Sequence, residues 1–350
     1  MEPKNSIGAK WDRLLDGLDL PSLVKGKRTV VKVHLGGGYG FTTIHPYFMR
    51  KLIARVKAAG AREVFATDGA GAVRSAVERG YTAEVLGCPI LPVAGSDDRD
   101  VRVVPVDPPF LGLSELHLAA EIVNAEVLID FSHVKGHGSC GYGGAMKNLS
   151  MGCVDQATKG ALHGLEGGLE WDPGKCTLCR SCEENCPNSV ISFPGDRFKV
   201  FYHNCKLCRH CVLICPQKAI SVSGGSYRDF QRGMAIAATK VLGTFARENL
   251  LFINMLMNIT PFCDCWGMTT PAVVPDIGIL AGHDIAAIEQ ASLDLVRTDD
   301  LIPNSLPPGW EMGGSGHLFE RIHHKDPLVI IGYLEALGGW SRSYRLREIE

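Results

Sequence analysis

Eight of the thirteen cysteines in this 350-residue chain lie between Cys176 and Cys215, and they repeat one spacing. CTLCRSCEENCP (Cys176–Pro187) and CKLCRHCVLICP (Cys205–Pro216) each read C-x2-C-x2-C-x3-C-P. Three thiols at intervals of three residues line a tight loop that wraps three corners of an iron–sulfur cube, and the fourth corner has to come from elsewhere. Pro187 and Pro216 lack an amide donor and fix φ, which turns the chain after each fourth cysteine. The alternative is a pair of zinc ribbons, since C-x2-C pairs also bind zinc. Zinc does not explain a third cysteine, a fourth and a proline recurring together twice. The chemistry expected is thiolate-bound iron that carries electrons.

The repeated run resembles the bacterial two-cluster ferredoxin segment, in which the last cysteine of each run ligates the other cluster. Carried onto this sequence, the resemblance implies one [4Fe–4S] cluster on Cys176, Cys179, Cys182 and Cys215. It implies a second on Cys205, Cys208, Cys211 and Cys186. The apolar tails NSVISF and QKAISV are expected as two equivalent strands. Residues 172–222 hold seven Lys or Arg against four Asp or Glu. That local positive charge favours the reduced cluster. It also suits docking of an acidic redox partner, such as a ferredoxin, a flavodoxin or an oxidoreductase subunit.

Five cysteines remain: Cys88, Cys140, Cys153, Cys263 and Cys265. Cys263 and Cys265 form C-x-C in an extended context, where residues i and i+2 share a face. Together with Cys140 and Cys153 they make a candidate four-thiolate site for a third cluster or a zinc ion, against the alternative that all four are buried thiols packing as small hydrophobes. Cys88, in the turn LGCPI, reads as packing. The run HVKGHGSCGYGGAMKN adds His133, Lys135, His137 and Lys147 as candidate catalytic groups. Its glycines permit close backbone approach, its amides could form an anion nest, and its cations suit a small anionic substrate. LGGGYGF (Leu35–Phe41) follows a strand but fails G-x-G-x-x-G, which argues against a nicotinamide cofactor. His34 and His45 beside it read as structural, Asp68 and Asp284 as helix caps, and Trp266 as a shield for the C-x-C.

These groups need a scaffold. RTVVKVHLG, REVFATDG and EVLIDFSHV read as strands and PYFMRKLIARVKAAG as a helix. VRVVPVD reads as a strand and LSELHLAAEIVNA as a helix. After the cysteine runs, the long stretch from Tyr227 to Asn258 reads as one helix, PDIGILAG as a buried strand and DIAAIEQASLDLVRT as a helix. The alternation predicts an α/β fold, a mostly parallel sheet flanked by helices. The cluster module, residues 170–225, is expected as an α+β insert between residues 1–169 and 226–350 of that domain. A hydrophobic content of 45% supports a large core, and a net charge of −2 gives no field for nucleic acid or an anionic membrane. LLFINMLMNIT is too short to span a bilayer. The first twenty residues lack the features of a signal peptide. Reduced thiols in an anaerobic cytoplasm are the expected setting.

Four stretches together resemble a prokaryotic iron–sulfur family catalogued as domain of unknown function 362: KVHLGGGYGFTTIHP, HVKGHGSCGYGGAMKNLSMGC, the tandem cysteine runs, and FCDCWG with VPDIGILAGHDIAAIEQAS. The resemblance spans about residues 30 to 296. It implies an iron–sulfur protein and names no substrate. Three functional classes follow: a redox enzyme relaying electrons from two clusters to a site on the α/β domain, an electron-transfer subunit of a larger complex, or a metallocofactor maturation scaffold. The redox role is preferred, because a simple carrier needs little beyond its cluster segment. No nucleophile triad or paired carboxylates point to hydrolysis.

Overall fold

Short runs dense in Val, Ile, Leu and Phe become strands that bury both faces, the pattern expected when helices cover a parallel sheet on each side. The computed structural model describes residues 2–186, 189–202, 205, 210–306, 310 and 312–349. Its strands are β1 (Arg28–Val33), β2 (Glu63–Asp68), β3 (Ile90–Pro92), β4 (Val101–Phe110), β5 (Leu113–Ala119), β6 (Val127–His133), β7 (Lys135–His137), β8 (Gly141–Gly143), β9 (Gly168–Trp171), β10 (Ile191–Ser192), β11 (Lys199–Val200), β12 (Ile220–Ser223), β13 (Leu250–Leu256) and β14 (Gly278–Gly282). Six of them form the central sheet in the order β14-β13-β6-β1-β2-β3. Every pairing in it is parallel except β13 with β14. Alternate residues feed two apolar layers. Val30, Leu128 and Phe252 face the helices Ala145–Gly152, Tyr227–Leu242 and Ile285–Leu295. Val31, Ile129 and Ile253 face the helices Ile7–Gly17 and Pro46–Ala58.

The α/β expectation therefore holds, with three corrections to its elements, the first being that PDIGILAG, expected as a buried strand, supplies the half-buried antiparallel edge strand β14. Residues 113–119 are strand β5 rather than helix, paired antiparallel to β4 outside the central sheet. Leu116 and Leu118 are fully buried two residues apart, and cross-strand packing overrides the helical pattern. The expected long helix stops at Leu242, and residues 250–256 become β13, buried throughout. An apolar run of that length fits a buried strand as well as a helix, so periodicity alone does not separate them.

The cysteine-rich segment leaves and re-enters the fold through one antiparallel pair, β9 with β12. Between them lie the pair β10 and β11 and two short helices, Ser181–Glu184 and His210–Ile214. Of the tails expected as equivalent strands, Ile191–Ser192 and Ile220–Ser223 are strands, but each pairs with a different partner. The segment has its own apolar cluster, built on Val190, Ile191, Phe193 and Ile220 with Trp171 and Phe198 against it. Among the described residues no helix is long and apolar enough to cross a membrane.

Candidate functional site

The chain runs from β1 outward through β2 and β3, then returns to the other side of β1 for β6 and β13. Ligands of open α/β sheets bind outside the carboxyl ends of the strands at such a reversal. A cleft of about 370 Å³ lies there, within the usual range for small-molecule sites. His34 follows β1, Asp68 ends β2, His133 ends β6, and Cys263 and Cys265 come from the loop after β13. All four candidate catalytic residues, His133, Lys135, His137 and Lys147, line this one cleft.

Its floor is a buried network of charge. The Lys32 ammonium, with no exposed surface, meets Asp68 Oδ1 at 3.0 Å and Asn148 Oδ1 at 2.6 Å. Asp68 Oδ2 accepts from His34 Nδ1 and from the Leu35 amide, each at 2.9 Å. Burial would raise the Asp68 carboxyl, but the Lys32 and His34 charges hold it well below the carboxylate range. Asp68 is thus a charge partner and not the cap expected from sequence: the helix Ala70–Ser75 has no side-chain cap. Asp284 is a cap, accepting from the Ala286 and Ala287 amides. Beneath the network, Asp130 accepts from Ser132 and Asn148, and burial pushes it up to about 8.

Asp264 pins the C-x-C loop from inside. Its Oδ2 lies 2.9 Å from His133 Nδ1 and 3.2 Å from Lys135 Nζ. Burial opposes its ionisation, but His133 and Lys135 keep it well below its ordinary value. Cys263 is extended and Asp264–Trp266 form a 3₁₀ turn, so the fully extended geometry expected for C-x-C is not the one adopted. The two sulfurs still converge. With His137 they place three ligand atoms within 4.8 Å of one another, a spacing a soft metal ion can use. His137 Nε2 is 3.6 Å from Cys265 Sγ, and Lys147 Nζ is 3.9 Å from the same sulfur. The hydrogen bond to Cys263, then burial, pushes the Cys265 thiol far up. Burial acts on Cys263 as well, but that hydrogen bond and the Lys147 and Lys135 charges carry it well below its ordinary value. One proton shared between two sulfurs is the state this describes.

Cys140 and Cys153 do not join the group. Cys140 donates to the Tyr142 carbonyl at 3.1 Å, and Cys153 packs in the apolar layer. Burial raises both thiols, that of Cys153 to about 12. A four-thiolate site is therefore not assembled among the described residues, and His137 stands where two of its sulfurs were expected. The glycines also serve the protein itself. A Cβ on Gly144 would strike Glu289, whose carboxylate accepts from the Ala145 amide at 2.8 Å and so occupies the helix start proposed as an anion nest. Gly38 and Gly267, both at positive φ, touch backbone to backbone, so LGGGYGF clamps the C-x-C loop rather than a ligand. Trp266 covers the loop, stacked on Phe262 with ring centres 4.5 Å apart. Cys88 is buried packing, with its thiol pushed to about 11 by burial.

The sequence reading missed His34, Asp68, Lys159 and Asp264 as parts of this site. Asp68, at the end of one strand, and His34, directly after another, carried the available signal. His34 gives its Nδ1 to Asp68, and its buried Nε2 has no hydrogen-bond partner among the described residues. Burial is the main cause of a lowered Lys159 ammonium, and this side chain also faces the cleft.

In the cysteine-rich segment, Cys176, Cys179 and Cys182 of the first run and Cys215 of the second line one pocket, with Trp171, Phe193 and Ile220 around them. Backbone amides point at the sulfurs: Leu178 to Cys176 at 3.4 Å, Ala219 to Cys215 at 3.2 Å, and Val190 to Cys186 at 3.5 Å. Cys205 and Cys186 are half-buried and Cys211 is buried. Cys208 and Pro187 lie outside the described residues.

Fold and site define an α/β protein with a thiol- and lysine-lined cleft at the strand reversal and a cysteine-rich segment beside it. The chain belongs to the family described as Domain of unknown function (DUF362), whose model matches residues 29–294. Among solved structures it is similar to the lactate racemase apoprotein from Thermoanaerobacterium thermosaccharolyticum, at 15% identity and a TM-score of 0.35, over 79% of this chain and 52% of that one. It is similar also to a structural-genomics target from Thermotoga maritima, at 10% identity and a TM-score of 0.36, over 71% of this chain and 49% of that one. The chain thus spans about half the length of each. No curated protein matches it.

Proposed function

We propose that this protein is an iron–sulfur redox protein whose cysteine-rich segment holds two [4Fe–4S] clusters and whose cleft is the site those electrons serve. One observation carries the reading: Cys215, from the second run, lines the same pocket as the first three cysteines of the first run. That is the crossed ligand set a two-cluster segment requires. The donor set fits the group, because four thiols surround one pocket with amide donors aimed at sulfur and aromatic side chains excluding water. Cys186, Cys205, Cys208 and Cys211 are assigned to the second cluster. When bound, such clusters supply one electron each at low potential.

The cleft residues supply the rest. Asp264 fixes His133 and Lys135, Asp68 orients the His34 ring at the edge of the cleft, and Lys147 and Lys159 attract a small anion. The net positive segment suits an acidic donor protein, in a reducing, anaerobic cytoplasm. Its reduction by an acidic ferredoxin is expected to slow as salt rises; a rate indifferent to salt discounts steering. The reading is tested by EPR on anaerobically purified variants. Cys176→Ser and Cys215→Ser should remove one and the same cluster signal, and Cys186→Ser the other. Loss of different signals from the first two variants contradicts it.

A further inference from the structure

Two thiols on one short loop, one buried and one facing the cleft, are a different device from a metal cage. His137 separates the possibilities. Its Nδ1 accepts the Ser139 amide at 3.1 Å, so the neutral ring carries its proton on Nε2. Nε2 is the atom that faces Cys265 Sγ at 3.6 Å. The ring offers this sulfur a hydrogen rather than offering a metal a lone pair. Lys147 brings a second donor, with positive charge, to the same sulfur at 3.9 Å. Both groups stabilise a thiolate, and the ammonium repels a metal cation.

The loop suits disulfide formation. One intervening residue limits the Cα separation to about 7 Å, at the edge of the disulfide range, and the 3₁₀ turn from Asp264 draws the ends closer. The sulfurs lie within 4.8 Å of each other. Trp266, next to Cys265, meets the Phe201 ring edge-on at 5.1 Å. Phe201 belongs to the cysteine-rich segment, four residues before Cys205. Aromatic contact thus joins that segment to the thiol pair.

We propose that Cys263 and Cys265 form a redox dithiol that reduces a small disulfide carrying carboxylate or phosphate groups. The inference rests on the reading of the cleft as the place where electrons are used. Cys265 leaves the shared proton on Cys263, and the exposed Cys265 thiolate attacks one substrate sulfur. A mixed disulfide forms, the substrate S–S bond breaks, and the departing thiolate takes a proton from the Lys147 ammonium. The buried Cys263 thiol returns a proton to the Lys147 amine, and the thiolate so formed attacks Cys265 Sγ. The Cys263–Cys265 bond forms, the mixed disulfide breaks, and the second half leaves as a thiolate that is protonated from water. One substrate disulfide, the singly protonated protein pair and one proton from water have become two small thiols and one protein disulfide. Two electrons from a low-potential one-electron donor, delivered in turn, and one proton reopen it to the singly protonated pair. Lys135, Lys147 and Lys159 supply the cationic lining that an anionic disulfide needs.

The test uses the full chain, purified and reduced without oxygen, with oxidised glutathione as the anionic disulfide and hydroxyethyl disulfide as the neutral one. Free thiols are then alkylated, and the peptide carrying both cysteines is weighed. The expected product after oxidised glutathione is a peptide short of two hydrogens and unalkylated at both positions, formed at least tenfold more slowly with the neutral disulfide. Cys263→Ser should instead trap glutathione on Cys265, and Cys265→Ser should trap none. Full alkylation of both sulfurs in the treated wild type overturns the inference. So does protection that appears before any disulfide is added and disappears with a chelator, which marks a metal site. Iron and EPR measured on the same samples keep the two readings apart: clusters present with no disulfide sinks the dithiol alone, and a disulfide formed without iron sinks the cluster assignment alone.

Discussion

The two thiol-bearing regions are built on opposite principles. In the cysteine-rich segment three of the described sulfurs are held by their neighbours in sequence. The Cys176, Cys186 and Cys215 sulfurs accept amides two to four residues away, and the closing apolar cluster is local. In the cleft the sulfurs are held from far away. Asp264 fixes the C-x-C loop by gripping His133, 131 positions earlier, and the glycine at 38 braces Gly267. A local site can be read from spacing. A long-range site shows only its residue types until the sheet brings strand ends together.

That contrast accounts for what the sequence disclosed. C-x2-C-x2-C-x3-C-P named its chemistry by count alone, and the strand runs around Val30, Phe65 and Ile129 announced a two-sided sheet. The candidate set His133, Lys135, His137 and Lys147 was legible because it sits in one run after one strand. Its partners were not. Asp68 looked like a cap because an acid before a helix usually is one, and only the burial of Lys32 against it reveals a charge pair. Cys140 and Cys153 flank the right helix but point into its apolar layer, a distinction of side-chain direction that residue spacing does not carry.

Breaking the cleft's foundation should have the largest effect on stability. Lys32→Met leaves the Asp68 carboxylate buried without its main counter-charge, and is expected to cost about 3–5 kcal/mol in denaturant unfolding. Asp264→Asn comes next, weakening bonds to His133 and Lys135 at about 1.5–3 kcal/mol. It should also speed alkylation of Cys263 while leaving the iron content of the other region unchanged; a fall in iron would show the two regions to be coupled.

The Asp130 carboxyl gives a gentler probe. Its folded value is raised to about 8, so the stability it contributes is fully present below its unfolded value and fades as pH rises through 8. Thermal unfolding followed from pH 6 to 9 should show that decline in the wild type and a flatter profile in Asp130→Asn. Smallest is the exposed pairing of Arg180 with Glu183 and Asp196 in the cysteine-rich segment. Asp196→Asn should change stability by less than about 1 kcal/mol, which sharpens the comparison by showing that this region relies on its thiols rather than on its ion pairs.

Counting iron, acid-labile sulfide and zinc in the anaerobically purified full chain tests the central claim most directly. Two clusters require about eight irons and about eight sulfides per chain, with no stoichiometric zinc. About twelve irons would restore a third cluster, and two zinc ions with no sulfide would contradict the account outright.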